Sequence, residues 1–166
     1  GIRFAIGPFL KPMVADLERE WCRLTKKKHA AAVGSGLGAL RLALLSLGIG
    51  KGDAVIVPAY TCVALLNAVL AVNAEPILAD VEADRWTLSI DSVRKHLGAR
   101  VKAIIAVHLF GCSCDLLELL TLNVSIIEDC AHAVDSPAAD RPFGSQGVLN
   151  IGSFYATKLI AAGEGG

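Results

Sequence analysis

Val101-Lys102-Ala103-Ile104-Ile105-Ala106-Val107 and, further on, Val124-Ser125-Ile126-Ile127-Glu128-Asp129 decide how this chain is read. Each is an almost unbroken apolar run of strand length. A strand with one wet face alternates apolar and polar residues. A run that hardly alternates belongs to a strand covered on both faces, as in parallel sheets sandwiched between helices. Ala54-Val55-Ile56-Val57, stopped by Pro58, reads the same way. Ile77-Leu78-Ala79 and Leu149–Phe154 are two further strand candidates.

Helical patterns lie around and between these runs. Val14, Leu17, Trp21 and Leu24 share one face of a surface helix over roughly 12–26. Leu37, Leu40, Leu44 and Leu47 mark a second helix, with Gly48 as its stop. Cys62 to Val72 is apolar all round and predicts a buried helix. Asp91 is a candidate cap for a helix running to Leu97 before Gly98, and Asp115–Leu120 leaves room for a short one. The expected fold is therefore α/β, a mainly parallel sheet with helices on both faces. No internal repeat and no low-complexity segment interrupts it.

The bulk numbers exclude several classes. A chain of 166 residues fits one domain. Its 16 basic and 16 acidic residues balance, which argues against nucleic acid or an anionic membrane as partner. Lys26-Lys27-Lys28, the basic cluster, suits the C-terminus of the first helix. Five cysteines form an odd set whose spacing matches neither a disulfide framework nor a zinc site, so reduced thiols in a cytoplasmic protein and no metal are expected. No run of 18 or more apolar residues is free of polar interruption, so no membrane span is expected. The opening Gly1-Ile2-Arg3-Phe4 has neither a methionine nor a signal-peptide pattern and reads as a chain entered partway.

In a sheet of this kind ligands sit beyond the carboxyl ends of the strands. Gly34-Ser35-Gly36, Tyr60-Thr61, His108, Asp129 to His132 and Ser153 to Lys158 all fall at predicted strand ends. The glycine loop entering a helix aims backbone N–H groups at an anion, as a phosphate requires. Gly34-Ser35-Gly36-Leu37-Gly38-Ala39 also satisfies a dinucleotide fingerprint, but the acid that should end the next strand is missing, because that strand ends Val57-Pro58-Ala59. Asp129 could accept a charge-assisted hydrogen bond from a protonated ring nitrogen. Lys158 could condense as a neutral amine with an aldehyde, and Ser153 could donate to a phosphate. His132 lies near enough in sequence to share the pocket of Asp129. Taken singly, each has an ordinary role: helix cap for Asp129, structural histidine for His132, surface residues for Ser153 and Lys158.

Taken together, the segments resemble the DegT/StrS-type sugar aminotransferases, a branch of the fold-type I pyridoxal-phosphate enzymes. The resemblance runs in order through nearly the whole chain. Gly7-Pro8-Phe9 and Leu17-Glu18-Arg19-Glu20 resemble the lead-in. His29-Ala30-Ala31-Ala32-Val33 resembles the first strand, and Ser35-Gly36 the phosphate loop. Leu47 to Pro58 and Lys102 to Gly111 are close family runs. Glu128-Asp129-Cys130-Ala131-His132-Ala133, Ser153-Phe154-Tyr155-Ala156-Thr157-Lys158 and Gly163-Glu164-Gly165-Gly166 carry the greatest specificity.

The resemblance implies pyridoxal 5'-phosphate as cofactor and, as catalytic residues, Lys158, Asp129 and His132. Lys158 would hold the cofactor aldehyde and shuttle a proton. Asp129 would pair with the pyridine nitrogen, and His132 would lie near the ring and its phenolic oxygen. Gly36, Leu37 and Ser153 would hold the phosphate, with Cys62 at the position that faces the ring. A lysine at 158 favours transamination over the dehydration run by a related branch with histidine there. The implied substrates are a nucleotide-linked keto sugar and an amino-acid donor, typically glutamate, and the implied assembly at full length is a homodimer. The implied organisation is a helical lead-in over 1–28 and a partial cofactor-binding large domain over 29–166, incomplete at its C-terminus, with the small domain absent. Four features depart from the family pattern. Leu37 stands for a usual threonine, Cys62 for a usual stacking aromatic that Tyr60 would replace, and Val148 for a usual aspartate, and the helix after Gly111 is short. Two further readings compete: a truncated, catalytically silent remnant that binds cofactor or a partner chain, and a nicotinamide-binding domain.

Overall fold

The computed structural model describes residues 10–133 and 141–166, so the Gly7-Pro8-Phe9 lead-in lies outside the described residues. Five strands form one parallel sheet: β1 (Ala54–Pro58), β2 (Glu75–Ala79), β3 (Val101–Val107), β4 (Ser125–Asp129) and β5 (Leu149–Ile151), in the order β2-β1-β3-β4-β5. The continuous apolar character of β1, β3 and β4 has the expected cause. Their side chains on both faces are buried, and each face has its own core.

On one face Val55, Val57, Ala103, Ile105, Val107 and Ile127 pack against α2 (Gly36–Ser46) and α3 (Ala64–Leu70), through Leu40, Leu44, Leu65 and Val69. On the other, Ala54, Ile56, Ile104, Ala106 and Ile126 meet α4 (Ile90–His96) and α5 (Leu116–Leu120), through Val93, Leu116 and Leu119. Consecutive strand residues point to opposite faces, so the alternation serves two cores instead of one core and solvent. Ser35 caps α2 by accepting from Gly38 N–H, and Asp115 caps α5 by accepting from Leu117 N–H.

Several local expectations are corrected. Residues 29–33 form no strand. Val33 instead exchanges both its backbone hydrogen bonds with Gly166, at 2.8 and 3.0 Å, so one residue pair holds the segment without a ladder. The fourth strand starts at Ser125 and runs through Glu128 and Asp129, and β5 ends at Ile151. Ser89, not Asp91, occupies the N-cap of α4. α3 is not buried all round, because Val63 just before it and Leu70 at its end are exposed while Leu65, Ala68 and Val69 face the core.

α1 (Leu10–Thr25) is amphipathic, yet its Val14 and Leu17 remain exposed. It is anchored at its C-terminal end, where Trp21 Nε1 donates to Asn150 Oδ1 at 2.7 Å and the Trp21 ring meets Phe154 edge-on. Lys27 has a specific role beyond its charge near the end of α1. Its Nζ donates to the carbonyls of Ser145 and Gly147, tying the segment after α1 to the loop before β5. Gly152 lies under the Trp21 ring, and a Cβ there would sit 2.5 Å from the indole. Gly152→Ala is therefore expected to destabilise the fold by about 1–3 kcal/mol through overpacking, read as a lower urea midpoint at unchanged m-value.

Candidate active site

A cleft of about 370 Å³ opens beyond the carboxyl ends of β3, β4 and β5, and Gly36, Leu37, Cys62, Asp129, His132, Ser153 and Lys158 all line it. Every residue singled out from the sequence as catalytic or cofactor-binding thus reaches one space. β4 delivers Asp129, the turn after it delivers His132, the segment after β5 delivers Ser153 and Lys158, and the start of α2 delivers Gly36 and Leu37. A larger cavity of about 460 Å³ lies between α1, residues 27–33 and β5. Its Glu18 and Lys27 are already bonded, to Ala32 N–H and to the loop carbonyls.

Ser35, Gly36 and Ser153 line one corner of the cleft. Gly36 approaches Ser153 so closely that a Cβ on it would lie 2.9 Å from the serine Cβ and 3.1 Å from its Oγ. Only glycine leaves that corner open, beside a helix N-terminus and a buried hydroxyl, and this is the chemistry of an anion cradle. Leu37 contributes an exposed apolar side chain there and no hydroxyl.

Asp129 is buried, and its Oδ1 accepts the Ala131 N–H at 2.9 Å. Burial pushes its carboxyl pKa above the ordinary range. The Ala131 bond and then electrostatic attraction, chiefly to Lys158, pull it back only in part. A carboxylate so placed lacks a full cationic partner, which a protonated ring nitrogen would supply. His132 is shifted the other way. Burial, and then the Lys158 charge, lower its pKa, so the neutral imidazole is favoured. Among the described residues its buried Nδ1 has no hydrogen-bond partner. The donor set therefore fits a phosphorylated pyridine aldehyde: an anion cradle, a buried carboxylate, an unpartnered imidazole nitrogen and an amine.

Two sequence expectations change. Tyr60 does not line the cleft; it packs edge-on against Trp86 at 5.0 Å. The ring-facing wall at position 62 is a thiol, and Cys62 is exposed. His108 does not face the rim opening either. It is buried, with Nε2 3.0 Å from Glu128 Oε2, and its Nδ1 accepts the Cys114 N–H at 3.1 Å.

Glu128, which sequence reasoning gave no role, is the hub behind the site. Its Oε2 also accepts Gly144 N–H at 2.9 Å, and its Oε1 accepts Gln146 N–H at 2.7 Å and Gly147 N–H at 2.5 Å. Burial pushes the carboxyl up, but the His108, Gly147 and Gln146 donors outweigh it and hold the pKa below the ordinary value. The one available signal was a pair of polar residues, His108 and Glu128, at the ends of otherwise apolar runs.

Comparison with known proteins gives a consistent picture. Residues 9–166 match the model of the DegT/DnrJ/EryC1/StrS aminotransferase family. The GDP-perosamine synthase of Vibrio cholerae is 37% identical over 153 residues, covering 90% of this chain and 42% of the relative. The chain thus spans less than half the length of the curated relatives it matches. Among solved structures, S. venezuelae DesV in complex with a ketimine intermediate superposes with a TM-score of 0.88 at 35% identity, covering 96% of this chain and 43% of that one. The PLP form of a sugar aminotransferase from Streptococcus pneumoniae has a TM-score of 0.88 at 31% identity, covering 93% and 44%. The parallel sheet with its two helical layers is the core of the fold-type I transferases.

Proposed function

We infer that this chain, which belongs to the DegT/DnrJ/EryC1/StrS aminotransferase family, binds pyridoxal 5'-phosphate in the cleft and serves amino-group transfer from glutamate to a keto sugar carried on a nucleotide. The observation that carries this reading is the convergence of Asp129, His132, Ser153 and Lys158 on one cleft at the sheet's carboxyl rim. A similarity to GDP-perosamine synthases supports the nucleotide-sugar class. The reading extends to a cytoplasmic homodimer at full length.

When bound, the cofactor supplies a carbonyl that condenses with amines and a ring that withdraws electrons. The protein residues do the rest. Asp129 holds a proton on the ring nitrogen through a charge-assisted hydrogen bond. Gly36, the start of α2 and Ser153 fix the phosphate. Lys158 Nζ would hold the aldehyde and would carry a proton to and from the reacting carbon. Neutral His132 offers Nδ1 to a polar group at the ring. Borohydride treatment after addition of pyridoxal phosphate should leave the pyridoxyl mass on the peptide containing Lys158. Attachment at other lysines only, in a folded protein, would sink the reading.

A second expectation follows from the Asp129 carboxyl. Its folded pKa is raised, so between the unfolded and folded values the folded state binds more protons. Stability of the cofactor-free chain therefore falls as pH rises through that window, and the loss is complete above the folded pKa. Asp129→Asn keeps an oxygen for Ala131 N–H and removes the charge. It is expected to melt higher than the parent at pH 7 without cofactor and to lose that pH dependence. Its affinity for pyridoxal phosphate should fall by at least about tenfold, the lower end for one charged hydrogen bond. Thermal melts across pH, with and without cofactor, check both halves.

A further inference from the structure

An aromatic ridge leads away from the cleft across the strand ends. Tyr60 follows β1, Trp86 lies beyond β2, Phe110 follows β3 and His132 follows β4, so four neighbouring strands each send one ring to the rim. Tyr60 meets Trp86 with centroids 5.0 Å apart at 77°, and Trp86 meets Phe110 at 6.3 Å and 72°. Phe110 in turn stacks on His132 at 5.6 Å and 15°, and His132 is a wall of the cleft. The ridge is therefore continuous with the site that Lys158 occupies.

These rings are not tucked away. Tyr60 is 46%, Trp86 47% and Phe110 66% exposed. Each edge-on contact covers a face of only one ring of its pair, and the stack on His132 covers one face of Phe110. The backbone is unusual at the same places, since Trp86 has φ +63° and Phe110 φ +52°. Bulky residues rarely adopt this left-handed conformation, and such outliers gather at ligand sites. Folding alone would be better served there by glycine or asparagine, and by polar side chains at that exposure.

We propose that the Tyr60–Trp86–Phe110 ridge is the nucleobase subsite, on which the planar base of the nucleotide-sugar stacks while its sugar reaches Lys158. This rests on the nucleotide-sugar reading above. Every base has a π-face, so stacking gives affinity without choosing among bases. Purine and pyrimidine nucleotides should both bind, the larger purine better. A second copy of this chain is the competing occupant of the ridge, and the test separates the two.

The test is calorimetric titration of the 166-residue chain with GDP, UDP and inorganic pyrophosphate. Trp86→Asn removes the ring and suits a left-handed backbone, and Trp86→Phe keeps a ring. For GDP, Trp86→Asn should weaken binding about 5- to 150-fold, the range for losing one base stack. Trp86→Phe should restore most of it, and pyrophosphate binding should be equal in all three proteins. Pyridoxal phosphate fixation at Lys158 should be unchanged by either variant. Absence of GDP binding, or GDP affinity equal in parent and Trp86→Asn, overturns the ridge assignment whatever the cofactor does. Concentration-dependent self-association of the parent that Trp86→Asn abolishes while GDP affinity is unchanged overturns it in favour of a contact between copies. Failure of cofactor fixation in the parent protein marks the separate failure of the functional reading.

Discussion

Lys158→Ala is expected to remove borohydride-fixable pyridoxal phosphate entirely, because on the proposed function its amine is the group that condenses with the aldehyde. The fold should hardly notice. Lys158 is half-exposed, and its backbone bond to Tyr155 O, at 2.9 Å, does not involve the side chain. Substitutions of that kind stay within about 0.5 kcal/mol. The electrostatic consequences are specific. Lys158 depresses the pKa of His132 and partly offsets the burial of Asp129. Its removal should let His132 titrate at higher pH and push the Asp129 carboxyl further up. NMR titration of the His132 ring in the cofactor-free chain reads the first shift directly. An unmoved His132 pKa would show that the amine does not face that ring, and retained covalent cofactor would remove Lys158 from its role.

The sheet was legible because its physics is local. Ile104, Ile105, Ile126 and Ile127 are buried on two faces, and two-sided burial erases the polar alternation that a one-sided strand needs. The cleft was legible because Asp129 and Lys158 carry chemistry in their residue types, and the strand ends collect them on one rim. What lay hidden depends on pairs distant in sequence. His108 and Glu128 read as two isolated polar residues, and only the pairing of β3 beside β4 brings them to 3.0 Å. Lys27 read as helix-end charge because nothing local announces the carbonyls of Ser145 and Gly147. The 29–33 segment resembled the family's first strand, yet Val33 pairs with a single residue, Gly166. Strand propensity states what a segment tolerates, and a neighbouring ladder decides whether it forms.

Glu128→Gln is expected to destabilise the chain by about 2–6 kcal/mol, about 1–3 kcal/mol for each of two buried donors left without an acceptor. The shape is conserved and the proton inventory is not. Four donors converge on the two oxygens: Gln146 and Gly147 N–H on one, Gly144 N–H and His108 Nε2 on the other. A carboxylate accepts all four. A glutamine in either flip turns an NH₂ toward two of them. Retautomerising His108 does not help, because its Nδ1 already accepts from Cys114 N–H and would then present a proton to a proton. Folded domains have only about 5–15 kcal/mol in hand, so the variant should be partly unfolded near 37 °C. The sign of the acid response is a second readout. The folded pKa of Glu128 is lowered, so its contribution is full above the unfolded value and fades as pH falls through the folded one. The parent should therefore lose stability on acidification more steeply than Glu128→Gln. Urea unfolding followed by circular dichroism at several pH values measures both. Parallel acid profiles for the two proteins would mean that this carboxylate does not carry the network. Because the same hub orients β4 at Asp129 and the loop before β5, a weakened hub should also loosen cofactor binding in whatever fraction remains folded.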